Sequence, residues 1–280
     1  MRQRYSFSSR RTGIIVSTNK HKQTIPHIVK EVIRISDLVL EILDARFIAQ
    51  TRNEEIENLI TSQGKKLVFV VNKIDLVNMD DLKQSPEFKR LKPYILFSCK
   101  SITGVRRLRD KIKMEIKRLK ITAPQAHVGI MGYPNTGKSS LINLLIGKKS
   151  AGTSPQAGFT KGMQKLRLTK GILVLDTPGV YPEYEESPLK EETAKKHAEI
   201  GIRNFDKVKD PDIIVARLMK EYPGVFESHY AIEANGDSEI LLEELGKKKH
   251  LVKKGAEVDT DRTARLILKD WQEGKIKSKQ

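Results

Sequence analysis

The segment Gly132-Tyr133-Pro134-Asn135-Thr136-Gly137-Lys138-Ser139 follows the apolar run Val128–Met131 and precedes the apolar stretch Leu141–Ile146. A glycine, four residues and then Gly-Lys-Ser is a phosphate-cradling loop when it joins a strand to a helix, and both neighbours are present here. The glycines let successive backbone N–H groups turn inward on an anion, and the helix N-terminus adds its positive end. In such a loop Lys138 reaches the β- and γ-phosphates and Ser139 ligates Mg²⁺, with Asn135, Thr136, Gly137 and Ser140 completing the cradle. The fold must then place this strand in a layered α/β sheet.

Two further motifs depend on the first. Asp176-Thr177-Pro178-Gly179 ends the apolar strand Ile172–Leu175 downstream of the loop. Asp176 is placed to hold Mg²⁺ through water, and the Gly179 N–H can bond a γ-phosphate oxygen, so the segment beyond it can sense hydrolysis. Asn72-Lys73-Ile74-Asp75 follows the continuous apolar run Leu67–Val71, the pattern of a buried parallel strand. A carboxylate at Asp75 can accept from both N1–H and the 2-amino group of guanine, where adenine offers neither donor. The expected ligands are therefore GTP and GDP, and a site built around such a carboxylate rejects the wrong base strongly. Ser98-Cys99-Lys100, after the run Tyr94–Phe97, is expected beside the base, with Cys99 a packed small residue rather than a reactive thiol.

Apolar spacing predicts a helix over His27–Ile35, a strand over Leu38–Leu43 ending at Asp44-Ala45-Arg46, and a short helix capped by Asn53 and stopped at Gly64. A longer helix is expected over 104–120, with Val105, Leu108, Ile112, Ile116 and Leu119 on one face and basic residues on the other. A hairpin is expected at Thr169-Lys170-Gly171. Strands alternating with helices imply a mostly parallel sheet covered on both faces. After Pro182 the pattern is helical only, with starts at Ser187-Pro188, Asp210-Pro211 and Ser238 and a last helix burying Ala264, Ile267 and Trp271. The expected organisation is a basic arm (1–20), an α/β nucleotide-binding domain (21–182) and a small helical C-terminal domain (183–280).

The motif order departs from Ras-like proteins: the base-selecting Asn72–Asp75 precedes the phosphate loop, which precedes Asp176–Gly179. The sheet can still close, because helix 104–120 leads into the loop-bearing strand. In this order, and through Asp44-Ala45-Arg46 and Gly158-Phe159-Thr160, residues 21–182 resemble the circularly permuted P-loop GTPases of the YlqF/YawG type, which act in large ribosomal subunit assembly. The resemblance implies a circularly permuted Ras-like domain, and large-subunit ribosomal RNA or a pre-ribosomal particle as partner. The alternatives are a GTPase acting on another RNA process such as tRNA modification, and an RNA-binding module in which nucleotide is a ligand without significant hydrolysis. The resemblance places Thr160 as the switch threonine that closes on Mg²⁺ and the γ-phosphate, within a stretch rich in turn residues. Val180 stands where Ras-like proteins carry the water-orienting glutamine, so intrinsic hydrolysis should be slow. Asn135 matches an asparagine thought to bind K⁺ in related GTPases, and equally suits a residue that tolerates the loop's backbone angles. His21, 23 residues before Asp44, matches the position of a catalytic histidine. Here it sits in Asn19-Lys20-His21 rather than the family's Pro-Gly-His, and an uncommitted exposed histidine is the competing reading. Asp44 and Arg46 read equally as a family signature and as a strand-end ion pair.

Charge points to a polyanion. Lys and Arg number 52 against 35 Asp and Glu. Residues 1–30 carry seven basic side chains and no acid, residues 106–120 carry eight against two, and Lys247, Lys248, Lys249, Lys253 and Lys254 form a third cluster. Neutralising phosphates releases condensed counterions, which suits an RNA partner; the competing reading is a solvated lysine-rich surface. The single cysteine fits a reducing compartment, and no apolar run approaches a bilayer span. A cytoplasmic monomer without a membrane partner is expected, or a mitochondrial protein if the arm is a transit peptide.

Overall fold

A computed structural model describes residues 26–147, 164–177, 196–198, 200–201, 205–253, 255 and 257–276. Six strands form one sheet: β1 (Leu38–Asp44), β2 (Lys66–Asn72), β3 (Tyr94–Leu96), β4 (Ala126–Gly132), β5 (Gln164–Thr169) and β6 (Ile172–Asp176), in the order β3-β2-β1-β4-β6-β5. All pairings are parallel except β5 with β6, the hairpin that turns at Lys170-Gly171. Around and after the sheet run α1 (His27–Ile35), α2 (Ile48–Thr51), α3 (Glu54–Ser62), α4 (Met79–Gln84), α5 (Pro86–Lys89), α6 (Val105–Arg118), α7 (Lys138–Ile146), α8 (Pro211–Glu221), α9 (Val225–Tyr230), α10 (Ser238–Lys248) and α11 (Thr260–Gln272).

Both sheet faces are buried, which is why the strands read as near-continuous apolar runs. Leu38, Leu40, Ile42, Val128 and Ile130 face Leu108 and Ile112 of α6 and Leu141, Ile142 and Leu145 of α7. Val39, Met131 and Leu175 face Val29, Val32 and Ile33 of α1 and Ile56 and Ile60 of α3. Local signals behave as their chemistry requires. The Asn53 side chain accepts from the Ile56 N–H at 3.1 Å and starts α3. At the start of α10 the cap is Asp237, which accepts from the Glu239 and Ile240 N–H groups, and Ser238 is the first helical residue.

Two expectations for α6 need correction. Leu119 falls past its last residue and is exposed. Nor do its basic residues all face water. Arg109 donates from Nε to the Leu145 carbonyl at 3.0 Å and from Nη2 to that of Leu144 at 3.3 Å, capping the C-terminal end of α7. Lys111 pairs at 2.7 Å with the buried Glu115, which also takes Arg118 at 3.2 Å.

Helices α8–α11 share a core built on Leu218, Phe226, Leu241, Ile267 and Trp271, and that core also takes in Phe47 and Tyr133 from the sheet region. Trp271, the only tryptophan, lies 4.9 Å from Tyr222, 5.4 Å from Phe226 and 6.2 Å from Phe47, centroid to centroid. The helical region is therefore packed onto the sheet region at the loops following β1 and β4. The boundary expected near residue 183 and the helix start at Ser187-Pro188 lie outside the described residues.

Candidate functional site

Parallel strands bring their carboxyl ends to one edge, so Asp44, Asn72, Gly132 and Asp176 end neighbouring strands there. Gly132 has φ +146, and a Cβ on it would strike the Ile42 carbonyl of β1; Gly137 has φ +99, and a Cβ on it would strike Asn72 Nδ2. No side chain fits at either place, which is why both loop residues are glycine. Between them the Thr136 hydroxyl donates to the Tyr133 carbonyl at 2.8 Å. α7 starts at Lys138, so its N-terminus opens into the loop, with Ser139 and Ser140 half-buried in its first turn.

Lys138 Nζ donates to the carbonyls of Gly132 and Tyr133 at 2.9 and 2.8 Å. Burial lowers its pKa to about 8, with Asp176 opposing the shift. Burial raises the Asp176 pKa to about 6 against the pull of Lys138 and the Thr177 amide. Both Asp176 carboxylate oxygens are buried, and apart from the nearby Thr177 amide, which falls short of hydrogen-bond geometry, neither has a partner. A carboxylate left so is costly unless something binds it. Among the described residues no group of three or more His, Cys, Asp or Glu side chains could hold a metal. The donor set is hard oxygen, from the Ser139 hydroxyl and the Asp176 carboxylate, and it fits Mg²⁺ completed by phosphate oxygens.

The base-selecting motif adjoins the loop. Asn72 Nδ2 donates to the Thr136 carbonyl at 2.7 Å, and its Oδ1 accepts from the Cys99 N–H at 3.2 Å. Asn72 thus ties three segments together and positions them. The Ser98 hydroxyl donates to Asp75 at 2.5 Å and accepts from the Ser101 N–H at 3.0 Å. Cys99 lies 3.9 Å from the Gly137 carbonyl, and burial pushes its thiol up to about 11, so it stays protonated and packs as expected. Lys73 adopts φ +63, and its ammonium is engaged at 2.8 Å by Asp44, which leaves its alkyl stem for a ligand.

Asp44 and Arg46 are more than a strand-end pair. Arg46 donates to the Asp44 carboxylate from Nε at 3.1 Å and Nη2 at 2.8 Å, and its Nη1 reaches the Trp271 carbonyl at 3.2 Å. One buried cluster therefore links the base-selecting turn to α11. Asn135, at φ +60, donates from Nδ2 to the Gly201 carbonyl at 2.6 Å. The left-handed backbone that the sequence allowed is present.

A cavity of about 560 Å³ collects Asn72, Lys73, Asp75, Cys99, Asn135, Gly137 and Ser140. Sequence reasoning missed its other wall, to which Ile200, Gly201, Phe205, Lys269, Gln272 and Glu273 contribute. The spacing of Lys269, Gln272 and Glu273 puts them on one helix face, but nothing in the sequence says what that face meets. His21, Thr160, Gly179 and Val180 lie outside the described residues.

The basic clusters differ in availability. Arg106, Arg107, Lys113, Lys117, Arg118 and Lys120 are exposed on or just after α6. In the third cluster Lys247 is paired with Glu243 and Glu244, and Lys248 donates to the Tyr230 carbonyl at 2.8 Å. No helix among the described residues is long and apolar enough to cross a membrane.

Known proteins are similar to most of this chain. Residues 127–248 match the family described as 50S ribosome-binding GTPase. An uncharacterized GTP-binding protein of Methanocaldococcus jannaschii is 38% identical over 259 residues, covering 91% of this chain and 66% of that relative. Nucleolar GTP-binding protein 2 of Neurospora crassa is 32% identical over 255 residues, covering 88% of this chain and 40% of its own length. The chain thus spans less than two thirds of either relative. The crystal structure of GNP-bound YlqF from T. maritima superposes with a TM-score of 0.63 at 27% identity, covering 89% of this chain and 94% of that one.

Proposed function

The chain belongs to the circularly permuted, YlqF-like P-loop GTPases, and from that membership we propose that it binds GTP and GDP, hydrolyses GTP slowly, and acts as a switch on large-subunit ribosomal RNA or a pre-ribosomal particle. The observation that carries the nucleotide reading is the convergence at one sheet edge of Lys138, the unpartnered Asp176 carboxylate and Asp75. Lys138 is already buried and aimed at loop carbonyls, so an arriving phosphate can replace those acceptors without the ammonium leaving the loop. Mg²⁺ held by Ser139 and Asp176 would neutralise phosphate charge during transfer. Asp75, fixed by Ser98, receives the guanine edge. Thr160 and Gly179 are assigned the γ-phosphate contacts, and His21 a water-positioning role. With Val180 in place of a glutamine, hydrolysis depends on what a partner or K⁺ at Asn135 supplies.

The RNA part of the proposal rests on the exposed basic face of α6 and on the names of the relatives. α6 is tied through Arg109 to the C-terminal end of the helix that starts at Lys138, so the basic face adjoins the helix that carries the phosphate loop. Titration calorimetry with GDP, GTP and ATP tests the nucleotide reading, and comparable affinities for GTP and ATP would end it. Turnover with and without large ribosomal subunits, in K⁺ and in Na⁺, tests the rest. A rate that subunits leave unchanged removes support for the assembly role, and equal rates in the two salts remove the K⁺ site.

A further inference from the structure

The cavity beside Asp75 has walls of two origins. Strand-end loops form one, and the segment around Gly201 with the C-terminal half of α11 forms the other. We propose that the helical region is the outer wall of the guanine-nucleotide pocket, with Phe205 and Lys269 touching the bound nucleotide and Gln272 positioning that wall. This rests on the guanine reading of Asp75 and goes beyond it, because the motif residues alone leave that side open.

Four ties hold the wall in place. Asn135 Nδ2 reaches the Gly201 carbonyl at 2.6 Å, so the phosphate loop itself grips this segment. Gln272 Nε2 donates to the Ala198 carbonyl at 2.9 Å, fastening α11 to the same segment. Arg46 reaches the Trp271 carbonyl at 3.2 Å from the cluster that also holds Lys73. A Cβ on Gly274, which has φ +70, would come within 2.6 Å of Leu76, so the end of α11 lies flat against the turn that contains Asp75.

The side chains this wall presents suit a nucleotide. Lys269 Nζ stands 5.7 Å from the centroid of the Phe205 ring. An ammonium beside an aromatic face offers a cation to ribose or phosphate oxygens and apolar cover to a ring system. A nucleotide held against this wall loses contacts when the wall moves, so a partner that pulls on the helical region should shorten its residence time.

The test is titration calorimetry of the full chain with unmodified GDP and Mg²⁺, together with GDP release followed by Trp271 fluorescence. Lys269→Ala and Phe205→Ala should each raise the Kd for GDP about tenfold, the weight of one charged or well-packed contact. Gln272→Ala should speed release more than it slows binding. The preference for GDP over ATP should stay unchanged in all three, since Asp75 decides it. Lys220→Ala, an exposed lysine on α8 away from the cavity, should bind like wild type. Thermal melting checks that each variant folds, and Lys269→Ala decides the question if Phe205→Ala does not. A Kd and release rate for Lys269→Ala within twofold of wild type overturn the proposal. Wild-type protein that binds no guanine nucleotide overturns the Asp75 reading with it, and the first titration tells the two failures apart.

Discussion

Replacing Asp44 by alanine removes a carboxylate that neutralises one buried and one half-buried cation. The side chains of Asp44 and Arg46 are 3% and 4% exposed, and Lys73 is 23% exposed. Arg46 grips the carboxylate with two N–H groups, its backbone N–H adds a third at 3.1 Å, and Lys73 closes the set at 2.8 Å. Each cation at such range contributes about 4 kcal/mol of gross attraction at an effective dielectric constant near 20, most of it offset by desolvation. Removing the shared partner leaves both cations uncompensated, and breaking a buried pair this way costs about 3–5 kcal/mol. At about 2–4 °C per kcal/mol for a chain of this size, the melting temperature should fall by about 6–20 °C. Thermal unfolding followed by far-UV circular dichroism and by Trp271 fluorescence measures the shift, and urea unfolding the free energy. Because Arg46 also holds the Trp271 carbonyl, the fluorescence probe should register loosening of α11. Burial alone would raise the Asp44 pKa, but Arg46 and then Lys73 outweigh it and hold the carboxyl well below the usual carboxylate range. A depressed pKa stabilises the fold above the unfolded value of 3.8, and that contribution is lost as pH falls below it. The gap between wild type and Asp44→Ala should therefore narrow below about pH 4. A loss under about 1 kcal/mol at pH 7, or a gap indifferent to acid, would refute the reasoning.

Asp75→Asn should shift preference from guanine toward xanthine nucleotides, by reversing the polarity of one hydrogen bond; competition titration with GDP and XDP measures it, and unchanged preference counts against Asp75 as the base reader. Glu41 is buried on β1 with Oε1 accepting from the Asn53 N–H at 3.0 Å and Oε2 unpartnered, and burial, reinforced by Glu57, raises its pKa well above the ordinary value of 4.5. A raised carboxyl pKa means stability is lost as pH climbs from 4.5, so Glu41→Gln should melt higher than wild type at pH 8 by a few degrees and no higher at pH 4. Reversing Arg106, Arg107 and Lys113 to glutamate should weaken RNA binding and lower its salt slope by roughly 0.7–0.9 for each phosphate no longer neutralised, while a slope unchanged in filter binding would place the RNA elsewhere.

What the sequence determined is local. The loop Gly132–Ser139, the apolar runs of β1, β2, β4 and β6, the Asn53 cap and the hairpin at Lys170 each depend on residues close in the chain, and each stands where periodicity and turn chemistry put it. The parallel sheet followed too, since strands buried on both faces admit few other partners. Even the permuted order was legible, because motifs are read in chain order while the sheet is assembled by adjacency. What the tertiary structure decided are contacts between residues far apart. Lys269 is 194 positions from Asp75, yet both line one cavity. Lys73 spends its charge on Asp44, Arg109 caps α7 and Asn72 bridges two loops, though the sequence marks each only as basic or polar. A polar side chain shows in a sequence what it can donate or accept; its partner is fixed only when packing brings an acceptor or donor within about 3 Å and excludes water from both.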